Sequence, residues 1–343
     1  HPCEAECNRK DKDSPVAINN IERFIGDYAM EHNLPLPKEA EETRSEKVAV
    51  IGAGPAGLSC AYQLARRGYP VTVYEAFPKA GGMLRYGIPD YRLPQDVLDA
   101  EIKRLEEMGI EIKTNTVIGK DIDYHDLQNE YKAIFVGIGA HKGYSLGIDG
   151  EDAENVWTGT EFLNRINRGE TIDVGDKVYV IGGGDTAIDA ARVCRRLGAE
   201  VTILYRRTRN EMPAIEEEIV GAEEEGVNFE FLAAPLSITK EGDKAVKMNC
   251  QRMELGEPDS SGRRRPVPIP NDEFEVELTC LIPAISQEPG FDGLEDLKAG
   301  PKDWIKADDD FKTDKENIYA GGDVLNLGLV TIAIYQGRIA AYK

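Results

Sequence analysis

The chain has 343 residues, 41% hydrophobic and 30% charged, with 62 Asp and Glu against 41 Lys and Arg for a net charge of −21. That length allows two domains with cores of their own, and that charge repels the phosphates of a nucleic acid, which excludes DNA or RNA as the expected partner. No apolar run approaches the roughly 20 residues of a membrane span, and six cysteines, with only Cys3 and Cys7 close together, do not form a secreted disulfide framework.

A cytoplasmic protein is therefore expected. The chain opens at His1 rather than Met, so further residues are expected upstream. Residues 1–46 differ in character from the rest of the chain. HPCEAECNR carries Cys3 and Cys7. Two thiolates at this spacing can ligate an iron–sulfur cluster, which usually takes four; the alternative is two thiols capping a small helix. A helix is predicted near Ala17–Glu31. Asn33–Glu46, with Pro35 and Pro37, reads as a linker.

KVAVIGAGPAG at 47–57 is the stretch around which the rest is organised. Val48–Ile51 is long enough for one buried parallel strand. Gly52, Gly54 and Gly57 then give the spacing GxGxxG, with Pro55 and Ala56 between, and a helix runs over Leu58–Arg67. The first glycine permits the turn, the second lets backbone approach a pyrophosphate, and the third lets the helix pack on the strand with its N–H groups aimed at the anion. Tyr69–Glu75 reads as the next strand, and Glu75 at its end can accept hydrogen bonds from a ribose diol. Residues 76–94 are too irregular for a helix and read as a long ordered loop. A helix over Asp96–Met108, a strand over Ile110–Val117 and a strand over Ala133–Gly139 come next, and Gly139 marks a second turn toward the cofactor. Asp149–Asn155 reads as a crossing between domains.

Residues 177–209 repeat the opening design: strand Lys177–Ile181, the turn Gly182–Gly184, helix Asp185–Leu197 and strand Glu200–Tyr205. The pattern is GxGxxA, with Asp185 and Thr186 before Ala187, and two such units imply two dinucleotide sites; a structural echo without ligand is the alternative. Where the first unit ends in Glu75, this one ends in Arg206 and Arg207 with Arg209 close by. Guanidinium groups pair with a 2′-phosphate that an acid would repel, which favours NADPH over NADH; solvated surface arginines are the alternative. Glu211–Glu225 reads as a helix, Val227–Phe231 as a strand, and Lys240–Glu277 as a hairpin or meander around PDSSGRRRP. In that turn Arg263–Arg265 reads as a solvated loop tip rather than a docking patch. Thr279–Ala284 is strand-like. Ile318–Ala320 leads through Gly321 and Gly322 to Asp323, and Val330–Ala341 comes after it as a helix. That arrangement suits a flavin, with helix N–H groups at its pyrimidine carbonyl and a carboxylate on the ribityl hydroxyls; a strand–helix turn with a capping Asp is the alternative.

Four stretches taken together resemble the small (β) subunit of NADPH-dependent glutamate synthase and its relatives: GAGPAG at 52–57, YEAFPKAGGMLRYGIPDYRLP at 74–94, IGGGDTAIDAARVCRRLGAEVTILYRRTRNEMPA at 181–214 and AGGDVLNLGLVTIAIYQGRIAA at 320–341. The relatives include the NADPH–FAD half of dihydropyrimidine dehydrogenase and the flavin subunits of bifurcating ferredoxin–NADP oxidoreductases. The resemblance covers nearly the whole chain. It implies an α/β protein with two Rossmann-like dinucleotide-binding domains, preceded by the end of a helical Fe–S domain (1–46). The FAD domain is split into 47–155 and 282–343, and an NADPH domain (156–281) is inserted. It implies that Cys3 and Cys7 are ligands of a [4Fe–4S] cluster completed from upstream. Gly52, Gly54, Pro55, Ala56, Gly57, Glu75, Gly82, Met83, Leu84, Gly139, Gly322 and Asp323 would hold FAD, with Val330, Thr331 and Ile332 at the isoalloxazine. Gly182, Gly184, Asp185, Thr186 and Ala187 would seat NADPH, with Arg206 and Arg207 on its phosphate. Asp185 stands where relatives often have Asn, and Ser286 where they often have Gly.

The implied activity is hydride transfer from NADPH to FAD, then electron exit through Fe–S clusters to a large catalytic subunit or a ferredoxin-type acceptor, with no catalytic side-chain dyad and with a hinge between domains. Two alternatives are a direct ferredoxin–NADP reductase without its own cluster and a non-catalytic FAD-binding relay subunit. Thioredoxin-reductase-like disulfide chemistry is disfavoured, because no CxxC pair occurs.

Overall fold

The computed structural model describes residues 2–260, 262–298 and 304–343. Ser261 of the PDSSGRRRP turn, His1 of the cysteine-bearing stretch and residues 299–303 of the expected last segment lie outside the described residues.

Two helices come first, α1 (Pro2–Ala5) and α2 (Ile18–Glu31), and no residue of α2 is buried. The first parallel sheet is built from β1 (Val48–Ile51), β2 (Val71–Tyr74), β3 (Glu111–Lys113) and β4 (Ala133–Val136), connected by α3 (Pro55–Ala65), α4 (Met83–Tyr86), α5 (Gln95–Glu107) and α6 (Tyr124–Glu130). Strands β1, β2 and β4 are short and apolar on both faces because helices and loops cover both, whereas the edge strand β3 is Glu-Ile-Lys with its charged residues exposed. A two-residue strand β5 (Lys142–Gly143) leaves this sheet. The second unit comes after it: α7 (Gly159–Asn167), β6 (Lys177–Ile181), α8 (Asp185–Arg196), β7 (Glu200–Tyr205), α9 (Glu216–Glu224) and β8 (Asn228–Phe231). An antiparallel meander is next, β9 (Ala233–Glu241), β10 (Lys244–Pro258) and β11 (Arg264–Glu277). The chain returns through β12 (Cys280–Pro283) and β13 (Gln287–Glu288) to β14 (Ile318–Ala320) and α10 (Val330–Ala340).

The first sheet runs β14-β4-β1-β2-β3 and the second β12-β6-β7-β8, every pair parallel. The meander forms a sheet of its own. Because β12 pairs with β6, the expected boundary between 281 and 282 falls inside one strand. The exit strands of the two units, β5 and β13, pair antiparallel with each other, so the two chain crossings lie side by side.

Each glycine turn is forced by its neighbour. Gly52 has φ +98°, and a side-chain carbon there would collide with the Gly137 carbonyl beyond β4. Gly57 is the point where α3 rests on β1, and a methyl group there would meet the Gly52 carbonyl oxygen. Far along the chain, α10 docks on α3, with Ser59 Oγ donating to the Ile334 carbonyl at 2.8 Å. That contact carries the start of α10 to the mouth of the first glycine turn.

Some elements depart from the sequence expectation. The loop 76–94 contains one helical turn, α4, held by the buried Arg85, whose Nε donates to the Ala80 carbonyl and whose Nη1 donates to Gln95 at 2.6 Å. The strand expected over Ile110–Val117 stops at Lys113, and Asn115 takes φ +52°. The helix expected from Glu211 starts at Glu216. Pro213 biases the preceding residue away from helical angles, and Met212 is extended, at φ −66° and ψ 128°.

Candidate functional site

The first cleft, about 420 Å³, opens at the ends of β1 and β4 under the start of α10. Of the residues expected at a flavin, Gly52, Gly54, Pro55, Ala56, Glu75, Gly82, Met83, Gly139, Gly322, Asp323 and Val330 line it. Gly57 lies behind the turn as a packing residue, Leu84 packs against the core of the first sheet, and Thr331 and Ile332 are exposed outside the cleft wall. The N-cap of α3, Gly54, has no side chain to satisfy the first-turn N–H groups, which leaves them available to an anion.

Glu75 is buried, and its two carboxylate oxygens accept from Ala53 N–H at 2.8 Å and Phe77 N–H at 2.9 Å. Burial pushes its pKa up, and the backbone donors pull against that. The carboxylate thus ties the glycine turn to the end of β2 while its face remains on the cleft. Asp323 accepts from Gly328 N–H at 3.1 Å, and burial likewise raises its pKa. His141 was not foreseen in the sequence. It lines the same cleft with its ring 5.5 Å from that of Phe77, and desolvation lowers its pKa to about 4, so the imidazole is neutral at pH 7. Asp292, also on the wall, lies in an irregular segment with no local signal.

The second cleft, about 830 Å³, opens at the turn between β6 and α8. Gly182, Gly184, Asp185, Thr186, Arg206 and Arg207 line it, and Ala187 is fully buried beneath the turn. The N-cap Gly184 again leaves helix N–H groups without a side-chain partner. Asp185 accepts from Ile215 N–H at 3.0 Å and so fastens the turn to the chain leading into α9. Ser286 lines the cleft without a left-handed backbone, so glycine is not required there.

The two arginines after β7 behave differently. Arg206 is exposed on the cleft. Arg207 is buried, its Nε donating to the Arg264 carbonyl at 2.7 Å and its Nη2 to Asp259 at 2.7 Å. Arg209 pairs with Glu216 at 2.7 Å and Glu223 at 3.2 Å.

Asp323 and Gly328 line both clefts, so the two adjoin across a shared wall. A side-chain clasp joins the units that carry them. Arg92, from the loop after α4, contacts Asp189 of α8 through Nη1 at 2.7 and 2.8 Å and Glu218 of α9 at 3.1 Å. Burial pushes the Asp189 carboxyl up, opposed by Arg92. The Tyr91 ring packs against Arg196 and Arg192, 3.6 and 4.7 Å from its centre.

Cys3 is exposed and Cys7 half-buried. Cys7 Sγ accepts from Val16 N–H at 3.4 Å, and the backbone donors of Val16 and Arg9 lower its pKa. Cys60, Cys194, Cys250 and Cys280 are buried and burial raises the pKa of each, to about 12 for the last two. Among the described residues no group of three or more His, Cys, Asp or Glu side chains is arranged to hold a metal, and no helix is long and apolar enough to cross a membrane.

The family model described as pyridine nucleotide-disulphide oxidoreductase matches residues 46–337. The chain is 42% identical to the NADPH-Fe(3+) oxidoreductase subunit beta of Geobacter sulfurreducens, over 98% of this chain and 55% of that protein, and so spans about half that relative's length. It is 38% identical to the glutamate synthase (NADPH) small chain of Escherichia coli K12, over 99% of this chain and 76% of that one. The solved structure of Mycobacterium tuberculosis FprA in complex with NADPH matches with TM-score 0.73, over 87% of this chain and 84% of that one; at 18% identity this is a likeness of fold alone.

Proposed function

This chain belongs to the pyridine nucleotide-disulphide oxidoreductase family, and from that premise we propose that it is the NADPH- and FAD-binding unit of a multi-subunit oxidoreductase of the glutamate synthase small-chain type. The observation that carries this reading is the shared wall: two glycine turns, each under an uncapped helix N-terminus, open onto clefts that both include Asp323 and Gly328. Gly184, Thr186 and Arg206 would hold a nicotinamide dinucleotide, which would supply a hydride, and Gly54, Glu75 and Asp323 would hold a flavin, which would supply the change from two-electron to one-electron chemistry.

The chain's own residues bind and orient. The first turn of α3 would donate its N–H groups to a pyrophosphate beside Gly54, and Glu75 would accept from the adjoining ribose. Asp323, with its carboxylate already turned by Gly328 N–H, takes ribityl hydroxyls. On the other side Gly184 and Thr186 seat the second pyrophosphate, and Arg206 reads the 2′-phosphate. A nucleotide unit inserted between two parts of the flavin unit is supported by the paired crossings β5 and β13, with the crossings at 142–143 and 287–288 rather than at 155 and 282.

Cys3 and Cys7 would supply two ligands of a [4Fe–4S] cluster, in a setting where N–H donors to Cys7 favour the thiolate. The four buried cysteines cannot supply the others, which come from another segment. A partner subunit is part of the proposal because the relatives bear the names subunit beta and small chain.

The direct test is cofactor content and selectivity. The purified protein is expected to retain one FAD per chain and to bind NADPH in preference to NADH. Arg206→Glu should weaken NADPH at least tenfold, about 1.4 kcal/mol, while NADH changes little. Equal weakening of both would remove Arg206 from the phosphate site.

A further inference from the structure

Most described residues at the tip of the β10–β11 hairpin are exposed, as a solvated loop tip requires, but Asp259 and Arg263 are half-buried. Asp259 N–H donates to the Arg263 carbonyl at 2.8 Å and Gly262 N–H to the Asp259 carbonyl at 2.9 Å, which closes the turn. Arg207 then fastens that turn to the end of β7 through two contacts of 2.7 Å, one to the Asp259 carboxylate and one to the Arg264 carbonyl. A guanidinium this deeply buried is stable only with its hydrogen bonds met, so Asp259 and Arg264 are held against the end of β7.

That position distinguishes the three consecutive arginines. Arg264 turns back on its own hairpin, donating to the Gly256 carbonyl at 3.1 Å and to the Leu255 carbonyl. Arg265 is exposed and lies off the cleft. Arg263 is half-buried and lines the second cleft together with Arg206 and the glycine turn. The cleft therefore draws positive charge from two elements far apart in sequence, against Asp185 and Asp323 on its wall.

We infer that Arg263 is a specificity-determining residue, and that the hairpin tip is a second jaw of the nucleotide cleft whose guanidinium joins Arg206 on the 2′-phosphate. Arg207 acts as a positioning residue: it sets the jaw rather than touching the phosphate. This inference rests on the NADPH reading above and adds a residue to that site. Two guanidinium groups arriving from separate elements can pair with two phosphate oxygens.

The test is binding of 2′,5′-ADP and of 5′-ADP to the full flavin-loaded chain by titration calorimetry, without turnover. The unsubstituted protein is expected to favour 2′,5′-ADP. Arg263→Ala should weaken 2′,5′-ADP about tenfold and 5′-ADP less than twofold, Arg263→Lys should restore part of the loss, and Arg265→Ala should leave the ratio unchanged. If Arg265→Ala lowers the ratio as far as Arg263→Ala, the effect is general charge and the inference falls. If Arg263→Ala keeps full discrimination, the jaw role falls while the NADPH reading stands. If the unsubstituted protein does not discriminate at all, the NADPH reading itself falls.

Discussion

Gly57 and Ala187 hold the third position of the two glycine turns, and they differ by one methyl group. At Gly57 that methyl would strike the Gly52 carbonyl oxygen, backbone that cannot yield without moving β1 or α3. Gly57→Ala is therefore expected to destabilise the protein by about 2 kcal/mol and to release FAD during purification. Thermal denaturation and flavin content check this, and an unchanged melting temperature with full flavin would refute it. Residue positions near the turns were legible in the sequence because spacing encodes them: Gly52, Gly54, Glu75, Gly182 and Asp323 all line their clefts. Roles set by tertiary contact were not. Arg207 reads as a twin of Arg206, yet its partner Asp259 lies on another element and turns it into a buried anchor. His141 carries no local pattern that marks it, and the run Arg263–Arg265 gives no sign of which arginine reaches the cleft.

Helix α8 and the loop before α5 show the same division at the scale of elements. The strand–turn–helix–strand units were legible because a short apolar run, glycine spacing and helical periodicity agree over residues 47–75 and 177–205. Irregular segments were less so: Pro213 and Asn115 shorten expected elements, and α4 has too few residues to show a period. The loop's Tyr91 depends on Arg192 and Arg196 of α8, and Glu225 just beyond α9 orients both, accepting from Arg196 and Arg192 at 2.7 Å each. The side-chain bond from Arg196 is the largest influence in holding the Glu225 pKa down, to about 2, with Arg192 adding to it against the effect of burial. A carboxyl depressed in the folded state stabilises at neutral pH, and that contribution is lost as pH falls from about 4.5 toward 2. Glu225→Gln is thus expected to lose about 1–3 kcal/mol at pH 7 and to flatten the acid limb of the stability profile. Denaturant titrations at several pH values would decide it, and parallel profiles for the two proteins would contradict the assignment.

Across the whole molecule, two parallel-sheet units meet through one pair of crossing strands, β5 and β13, through α7 against α4, where Asn167 Nδ2 donates to the Ile88 carbonyl at 3.0 Å, and through the Tyr91–Arg92 clasp on α8 and α9. A two-strand crossing permits rotation; the clasp restrains it with the clefts adjoining. Arg92→Ala is expected to slow flavin reduction about tenfold by loosening this alignment, with 2′,5′-ADP affinity unchanged. A fall in affinity without a change in the reduction rate would place Arg92 in nucleotide binding instead. In the proposed function the two clefts, sharing Asp323 and Gly328, bring nicotinamide and flavin together. Anaerobic stopped-flow mixing of the FAD-loaded protein with NADPH checks that juxtaposition. The expected result is rapid loss of the oxidised flavin absorbance at one NADPH per flavin; a flavin that stays oxidised under excess NADPH would show that the adjoining clefts do not exchange a hydride.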